Sequence, residues 1–495
     1  VSGFFYAQGQ PVCGNSPDGG HISGCPHGET QMTCTTTPDL DRIAEELTAI
    51  LGPQGVLTAP GEPYDRDSSP FTAAPDIVAL PETTEQVSRI VRLASRLGFA
   101  LIPRGAGTGT AGGCLPLSGG VVISLERMKR IITLDTRSLY AHVEAGVITG
   151  ELRDAAAGQG LFFPPDPASL DTSTIGGNVA TNAGGPACVK YGVMRDYVLG
   201  VEAVMPDGEV IQAGVRTRKG VVGYDMAHLL TGSEGTLGII TSVYLKLIPL
   251  PPATVGLAAV FPSLPDAMRT VAAVLGRGHL PSAIEFLDHK CLGLVGDKLP
   301  FSVEDKSASL LIIELDGRTE AITPEIDMVA AICTEHGATH LMPGGTRKER
   351  DTIWNVRREV STRIREHAAR SFSEDVVVPI GSIASFIAEV PDFENRFGLD
   401  IFAFGHAGDG NIHLILTVPR AARPDTQAPR LEDGIEAVAR RVLELGGTIS
   451  GEHGVGEAKK HLLPLEIAPA SLRLQRGIKQ LFDPCNIMNP GKVFP

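Results

Sequence analysis

Two histidines flank a glycine-rich reversal at 405–413 (GHAGDGNIH). Residues 401–404 read as a short buried strand and 412–416 as another, and Gly405, Gly408 and Gly410 offer the positive φ that a tight reversal needs. His406 and His413 then stand on the two arms of one turn, where their imidazoles can converge. Two neutral imidazoles invite a divalent metal, which takes a third ligand, often a carboxylate. The plainer alternative is a pair of partly buried histidines satisfied by hydrogen bonds. A second stretch, 446–456 (GGTISGEHGVG), favours the metal. Glu452 completes a His-His-Glu set with His406 and His413, and His453 is left beside it as an acid–base group. Imidazole with one carboxylate suits Zn, Mn, Fe or Co without choosing among them.

These groups need elements to hold them. Thr37 reads as an N-cap with Pro38 in the first turn, followed by an apolar side of Leu40, Ile43, Ala44, Leu47 and Leu51. A strand is expected over 76–80. Thr83 and Gln86 read as a capping box for a helix with a Val87, Ile90, Val91, Ala94 and Leu97 stripe, stopped by Gly98. The strand 99–103 runs into Arg104, Gly105, Ala106, Gly107, Thr108, Gly109 and Thr110, a loop that continues to Gly113. Small residues in succession let backbone N–H groups face a phosphate unobstructed. A Rossmann unit is excluded, because a strand (120–125) follows and not an amphipathic helix. Runs 164–185 (PPDPASLDTSTIGGNVATNAGG) and 231–241 (TGSEGTLGIIT) share this loop's character. Three such loops between β-like runs suit a large cofactor threaded through backbone contacts.

Prolines at 249, 251 and 252 mark a boundary. Beyond them strands at 255–261, 282–287 and 309–315 alternate with helices at 264–275 and 323–336, which predicts a sheet covered on one face. A charged helix follows at about 348–369, and a last one at 472–482.

The chain has 495 residues, enough for two or three domains, and a formal net charge of −14. That balance argues against nucleic-acid binding and allows a small anionic substrate held by local arginines. No apolar run is long enough to span a bilayer. The N-terminus is a poor signal peptide. Scattered cysteines suggest reduced thiols in an intracellular protein. Cys13, Cys25 and Cys34 lie near His21 and His27, but without the spacing of a zinc ribbon or iron–sulfur site. A flexible extension over 1–37 is expected.

The loop at 104–113, the run at 164–185, KYGVMRD at 190–196, GSEGTLG at 232–238 and NPGK at 489–492 together resemble the vanillyl-alcohol-oxidase-type flavoproteins. Within them they resemble the branch of glycolate oxidase flavin subunits, D-lactate dehydrogenases and D-2-hydroxyglutarate dehydrogenases. The resemblance implies an α+β fold: a two-subdomain FAD-binding domain over 38–252 and an α+β cap with an antiparallel sheet over 253–458. Residues 459–495 would return to the FAD domain. The Arg104 loop would hold the pyrophosphate. Pro167, Asp171, Thr174, Gly176, Gly177, Asn178, Asn182, Gly184 and Gly185 would line the ribityl chain and ring. Gly192, Glu234, Gly235, Gly238, Ile240 and Asn489 would complete the cofactor site. Cys114 is the only thiol neighbouring the loop and no histidine lies in it, so non-covalent FAD is expected.

In relatives a Trp-x-x-Arg sequence places its arginine on the substrate carboxylate, and Arg357 matches, with Ser361 one turn on; a solvated helical face is the alternative for this run. A lysine that some D-2-hydroxyglutarate enzymes carry before 374–375 is absent, leaving Arg358, Arg365 or Arg370 as substitutes. The expected activity is FAD- and metal-dependent oxidation of a D-2-hydroxy acid, glycolate or D-lactate before D-2-hydroxyglutarate. His453 is the base, Asn411 contacts substrate or a metal ligand, and hydride passes to flavin N5. The electron acceptor would be a quinone, a cytochrome, an electron-transfer flavoprotein or a partner subunit. A homodimer is compatible, as is a cytoplasmic place, peripheral to a membrane, or a mitochondrial one in a eukaryote. The reading from another class is a non-catalytic flavin relay subunit; a zinc hydrolase would leave the three loops unexplained.

Overall fold

Parallel strands joined without a helix begin the architecture, and the glycine loop is what joins them. The computed structural model describes residues 39–419 and 424–495, so Cys13, Cys25, Cys34, His21, His27 and the Thr37–Pro38 helix start lie outside the described residues. The first helix is Leu40–Leu51, capped by the Asp39 side chain, which accepts from Arg42 N at 3.1 Å. The first sheet takes β1 (Val56–Thr58), β2 (Ile77–Ala79), β3 (Leu101–Arg104) and β4 (Val121–Ser124) in the order β1-β2-β4-β3. β3 and β4 run parallel. The helix Thr84–Leu97 buries its Val87, Ile90, Val91 and Ala94 stripe against this sheet beside Ile43 and Leu47. Its capping box is incomplete: Thr83 accepts from Gln86 N, but the Gln86 side chain takes the N–H of Glu82 and not that of Thr83. Near the C-terminus Leu101 N donates to Ile487 O and Asn489 N to Leu101 O, so the end of the chain lies along β3.

The second sheet is antiparallel, with order β5-β6-β10-β8-β9. Its strands are β5 (Ile131–Asp135), β6 (Tyr140–Glu144), β8 (Val198–Val204), β9 (Val210–Gly214) and β10 (Ile239–Lys246). The short β7 (Leu161–Phe162) pairs with β11 (Ile248–Pro249).

The third sheet carries the histidines. It has seven antiparallel strands, β15-β12-β14-β13-β17-β18-β16: β12 (Ala253–Phe261), β13 (Ala283–Leu287), β14 (Ser309–Gly317), β15 (His340–Gly344), β16 (Ala368–Val377), β17 (Asp400–His406) and β18 (Asn411–Pro419). Both faces are covered, where the sequence suggested one. In β14, Leu311, Ile313 and Leu315 pack with the helices Leu264–Gly276 and Thr319–Glu335, while Leu310 and Ile312 pack against Arg347–His367. A period of two with apolar residues on both faces is what two covered faces require. β16 and the helix Pro424–Glu444 were not anticipated. The α+β architecture and the antiparallel third sheet agree with the sequence expectation.

Candidate active site

Strand alternation puts the polar groups on one face of the third sheet. Glu285 pairs with His406 across β13 and β17, and His413 with Asp375 across β18 and β16. All four face the helix Arg347–His367, whose Arg357 reaches down to them. The β17–β18 hairpin makes this possible: Gly405 (φ +152) and Gly410 (φ +89) adopt positive φ, and a Cβ on Gly410 would lie 2.1 Å from Val378 O. Gly408 does not take positive φ; it is needed because a Cβ there would meet Val189.

His406 Nε2 and His413 Nε2 are 3.3 Å apart, and each is 3.6 Å from Glu452 Oε1. A point equidistant from three atoms so spaced lies about 2.0 Å from each, the usual metal–imidazole bond length. The imidazole planes cross at 87°. Each ring has an outer carboxylate on its other nitrogen, as metal-binding histidines usually do. His406 Nδ1 is hydrogen-bonded to Glu285 Oε1, and His413 Nδ1 faces Asp375 Oδ1 at 3.7 Å.

Glu452 arrives on a turn that is tied at both ends. Asp375 Oδ2 accepts the N–H groups of Gly451, Glu452 and His453 at 2.9, 2.7 and 2.9 Å. Glu234 accepts those of Val455 and Gly456 at 2.8 Å each. Gly451 is required, since a Cβ would lie 2.0 Å from Asn411 Nδ2. His453 stacks on His413 at 5.3 Å, and its buried Nδ1 has no hydrogen-bond partner. Asp375, His413 and His453 form a second group with metal-binding spacing. Asp375 is already saturated by three N–H groups and Asn411 Nδ2 (2.6 Å), so the His406, His413 and Glu452 group is the one with free ligand atoms.

The electrostatics follow from burial and pairing. Burial opposes the charge on Glu285, but His406 and Arg357 outweigh it and bring its carboxyl to about 2. Asp375 is likewise buried, yet His453, Lys459, His413 and the N–H of Glu452 hold it well below the usual range. Burial and the neighbouring His406 bring His413 down to about 3, leaving a neutral imidazole with a free lone pair. His406 is pushed up despite burial, by Glu285 and Glu452.

Beside this cluster runs a cleft of about 250 Å³. It is lined by 104–110, Pro167, Thr174, Gly176, Gly177, Asn178, Gly184, Glu234, Gly235, Gly238 and Ile240, with Glu452 and His453 at the end nearest the histidines. The N–H groups of 105–110 donate to no group among the described residues, so they are free for an anion.

Several expected residues sit elsewhere. The Arg104 guanidinium turns inward to Pro63 O, Arg66 O and Cys114, under Gly107, so it braces the loop. Asp171, Asn182, Gly185 and Gly192 do not line the cleft. Asn182 accepts from Arg195 N, and a Cβ on Gly185 would lie 2.4 Å from Asp166 O. Asn489 does not line it either; its amide ties Gly113 O to Glu234 O. Arg357 is not unpaired: Nε donates to Glu285 Oε2 at 2.6 Å and the guanidinium lies 4.5 Å over Phe404. Ser361 makes no hydrogen bond to the cluster. Asn411 engages Asp375, not a ligand atom, and its Oδ1 is buried without a partner. Sequence reasoning missed Glu285 and Asp375; the available signal was an acid inside an otherwise apolar strand, which burial tolerates only when paired.

A model of FAD-binding domains matches residues 75–214, and one of the C-terminal domains of FAD-linked oxidases matches 250–493. The chain is 36% identical over 455 residues to the glycolate oxidase subunit GlcD of Bacillus subtilis (strain 168), covering 91% of this chain and 96% of that protein. It is 36% identical over 451 residues to a D-lactate dehydrogenase of Archaeoglobus fulgidus, covering 88% and 96%. Its fold superposes on p-cresol methylhydroxylase with a TM-score of 0.75 at 19% identity, covering 92% of this chain and 97% of the other. The glycine cleft, the antiparallel cap sheet and these matches have one meaning: the chain belongs to the FAD-linked oxidases of the vanillyl-alcohol-oxidase type, in the branch of the glycolate oxidase flavin subunit and D-lactate dehydrogenase.

Proposed function

We propose that the chain oxidises a D-2-hydroxy acid, glycolate or D-lactate, to the 2-oxo acid, with non-covalent FAD in the cleft and a divalent metal on His406, His413 and Glu452. The observation that carries this is the triangle of two Nε2 atoms and one Oε1 at the end of the FAD cleft. Bound FAD would supply the electron sink, and a bound metal would acidify the substrate hydroxyl.

The chain's own groups do the rest. His453 takes the hydroxyl proton at Nε2, the nitrogen turned away from Asp375. Asp375 Oδ2, 4.0 Å from Nδ1, stabilises the imidazolium that forms. Arg357 spends Nε on Glu285 and keeps its outer nitrogens for the substrate carboxylate. The site favours a monocarboxylate. Arg358, Arg365 and Arg370 are exposed, and buried Lys459 is held by Asp375 O, Ile449 O and Glu374. None of these four is placed for a second carboxylate, which D-2-hydroxyglutarate would bring. An intact ligand set beside the cleft also speaks against a non-catalytic relay subunit.

The test is a panel of glycolate, D-lactate, L-lactate and D-2-hydroxyglutarate on metal-replete enzyme with an artificial electron acceptor. Turnover of glycolate or D-lactate is expected. Turnover of L-lactate alone, or of none, overturns the reading.

A further inference from the structure

One end of the second sheet is unused by the flavin site and reverses the sign of the protein's charge. Arg216, Arg218 and Lys246 line a hollow there with Asp135, Ser138 and Tyr140. Arg137 stands in the β5–β6 turn beside it, and Lys219 follows Arg218. None of these five cations forms an ion pair among the described residues. Arg216 donates to the Tyr244 hydroxyl at 2.8 Å, and Lys246 lies 4.5 Å over the Tyr197 ring. The one carboxylate in the hollow, Asp135, is occupied by the N–H groups of Arg137 and Ser138 and by the Ser138 hydroxyl. In a chain of net charge −14, five unpaired cations at one place are a local exception.

The same segment ends in an apolar tip. Val221, Val222 and Tyr224 are 95, 99 and 95% exposed. Asp225 closes the tip and is spent on capping the next helix, through His228 N. Bare apolar side chains of this size mark a contact surface. They stand on the irregular loop between β9 and the helix Met226–Leu230. An apolar tip collared by lysine and arginine is the chemistry of an interfacial anchor at an anionic bilayer. The remaining negative charge does not prevent this, because exposed charges farther away than about 10 Å are largely screened at 0.1 M salt.

We infer that this end docks on an anionic lipid surface. The 221–224 tip enters the headgroup boundary and the cations of the hollow face lipid phosphates. Each such cation strengthens binding by about fivefold. The inference stands apart from the substrate assignment, since the residues lie outside the cleft.

The test is sedimentation of the full FAD-loaded chain with vesicles of phosphatidylcholine and phosphatidylglycerol, against phosphatidylcholine alone. Binding is expected to the mixed vesicles only, and to fall with added salt. Arg218→Glu with Lys219→Glu should weaken it by about thirtyfold or more, counting two cations, and Val222→Ser with Tyr224→Ser should weaken it without changing its salt dependence. Unchanged FAD content and dye-linked turnover in both variants show that the fold is intact. Val222→Trp should give a blue-shifted emission on mixed vesicles. The inference is overturned if the native chain stays in the supernatant at low salt, as a surface meant for a protein partner would. It is also overturned if the charge-reversed chain sediments as well as the native one.

Discussion

Asp375 Oδ2 accepts the backbone N–H of His453 at 2.9 Å, and with it those of Gly451 and Glu452, so one buried carboxylate sets the position of both a candidate ligand and the candidate base. Asp375→Ala leaves three N–H groups without an acceptor, at roughly 1–3 kcal/mol for each that stays buried. The variant should lose metal and flavin reduction while keeping FAD, whose cleft Asp375 does not line. Metal analysis beside the flavin spectrum checks this. Full metal content with a normal rate would refute it.

Metal removal gives the next test. A chelator should abolish turnover, and Zn, Mn, Fe or Co should restore it to the FAD-loaded chain. The His406→Ala, His413→Ala double variant should hold no metal by elemental analysis and recover nothing. Undiminished metal in that variant would place the ion elsewhere.

Glu285 links His406 to Arg357, so the candidate substrate arginine and the candidate metal ligand share one carboxylate. Arg357→Ala should raise KM steeply, since a charge-assisted pair in a desolvated site is worth roughly 2–5 kcal/mol. Glu285→Gln should weaken metal binding as well, which Arg357→Ala should not. Unaltered kinetics in Arg357→Ala would return that arginine to a structural role.

His453→Ala should keep FAD and metal and slow anaerobic flavin reduction by roughly 10²–10⁴-fold, the range for a lost acid–base group. Stopped-flow absorbance reads this directly. Near-normal reduction removes His453 from the chemistry.

FAD should come away from the denatured polypeptide. Burial first, and then the charge of Asp67, push the Cys114 thiol up to about 11 against the opposing pull of Arg104. A thiol raised in this way is almost wholly protonated at neutral pH and a poor nucleophile. Cys114 should therefore react with iodoacetamide much more slowly than exposed Cys485. Flavin that stays with the precipitated chain would contradict the expectation.

Local patterns in the chain were enough to place most of the elements and to name candidate ligands. Glycines at 405 and 410 required the hairpin, and period-two and period-3.6 patterns located most strands and helices, because those signals are local. The pairing of His406 and His413 was legible for the same reason: one turn contains both. Glu452 was legible as a candidate by its chemistry alone. That 452 reaches 406 follows from folding alone, since a segment distant in sequence is brought there by Asp375 and Glu234. Glu285 and Asp375 were hidden because a strand acid declares no partner until neighbouring strands are in register. Arg104 was read as part of the glycine loop and Arg357 as a fork for a carboxylate; packing turned the Arg104 guanidinium to the carbonyls of Pro63 and Arg66 and tied Nε of Arg357 to Glu285. A side chain's type limits what it can bind, but its orientation is set by elements that the chain meets only on folding.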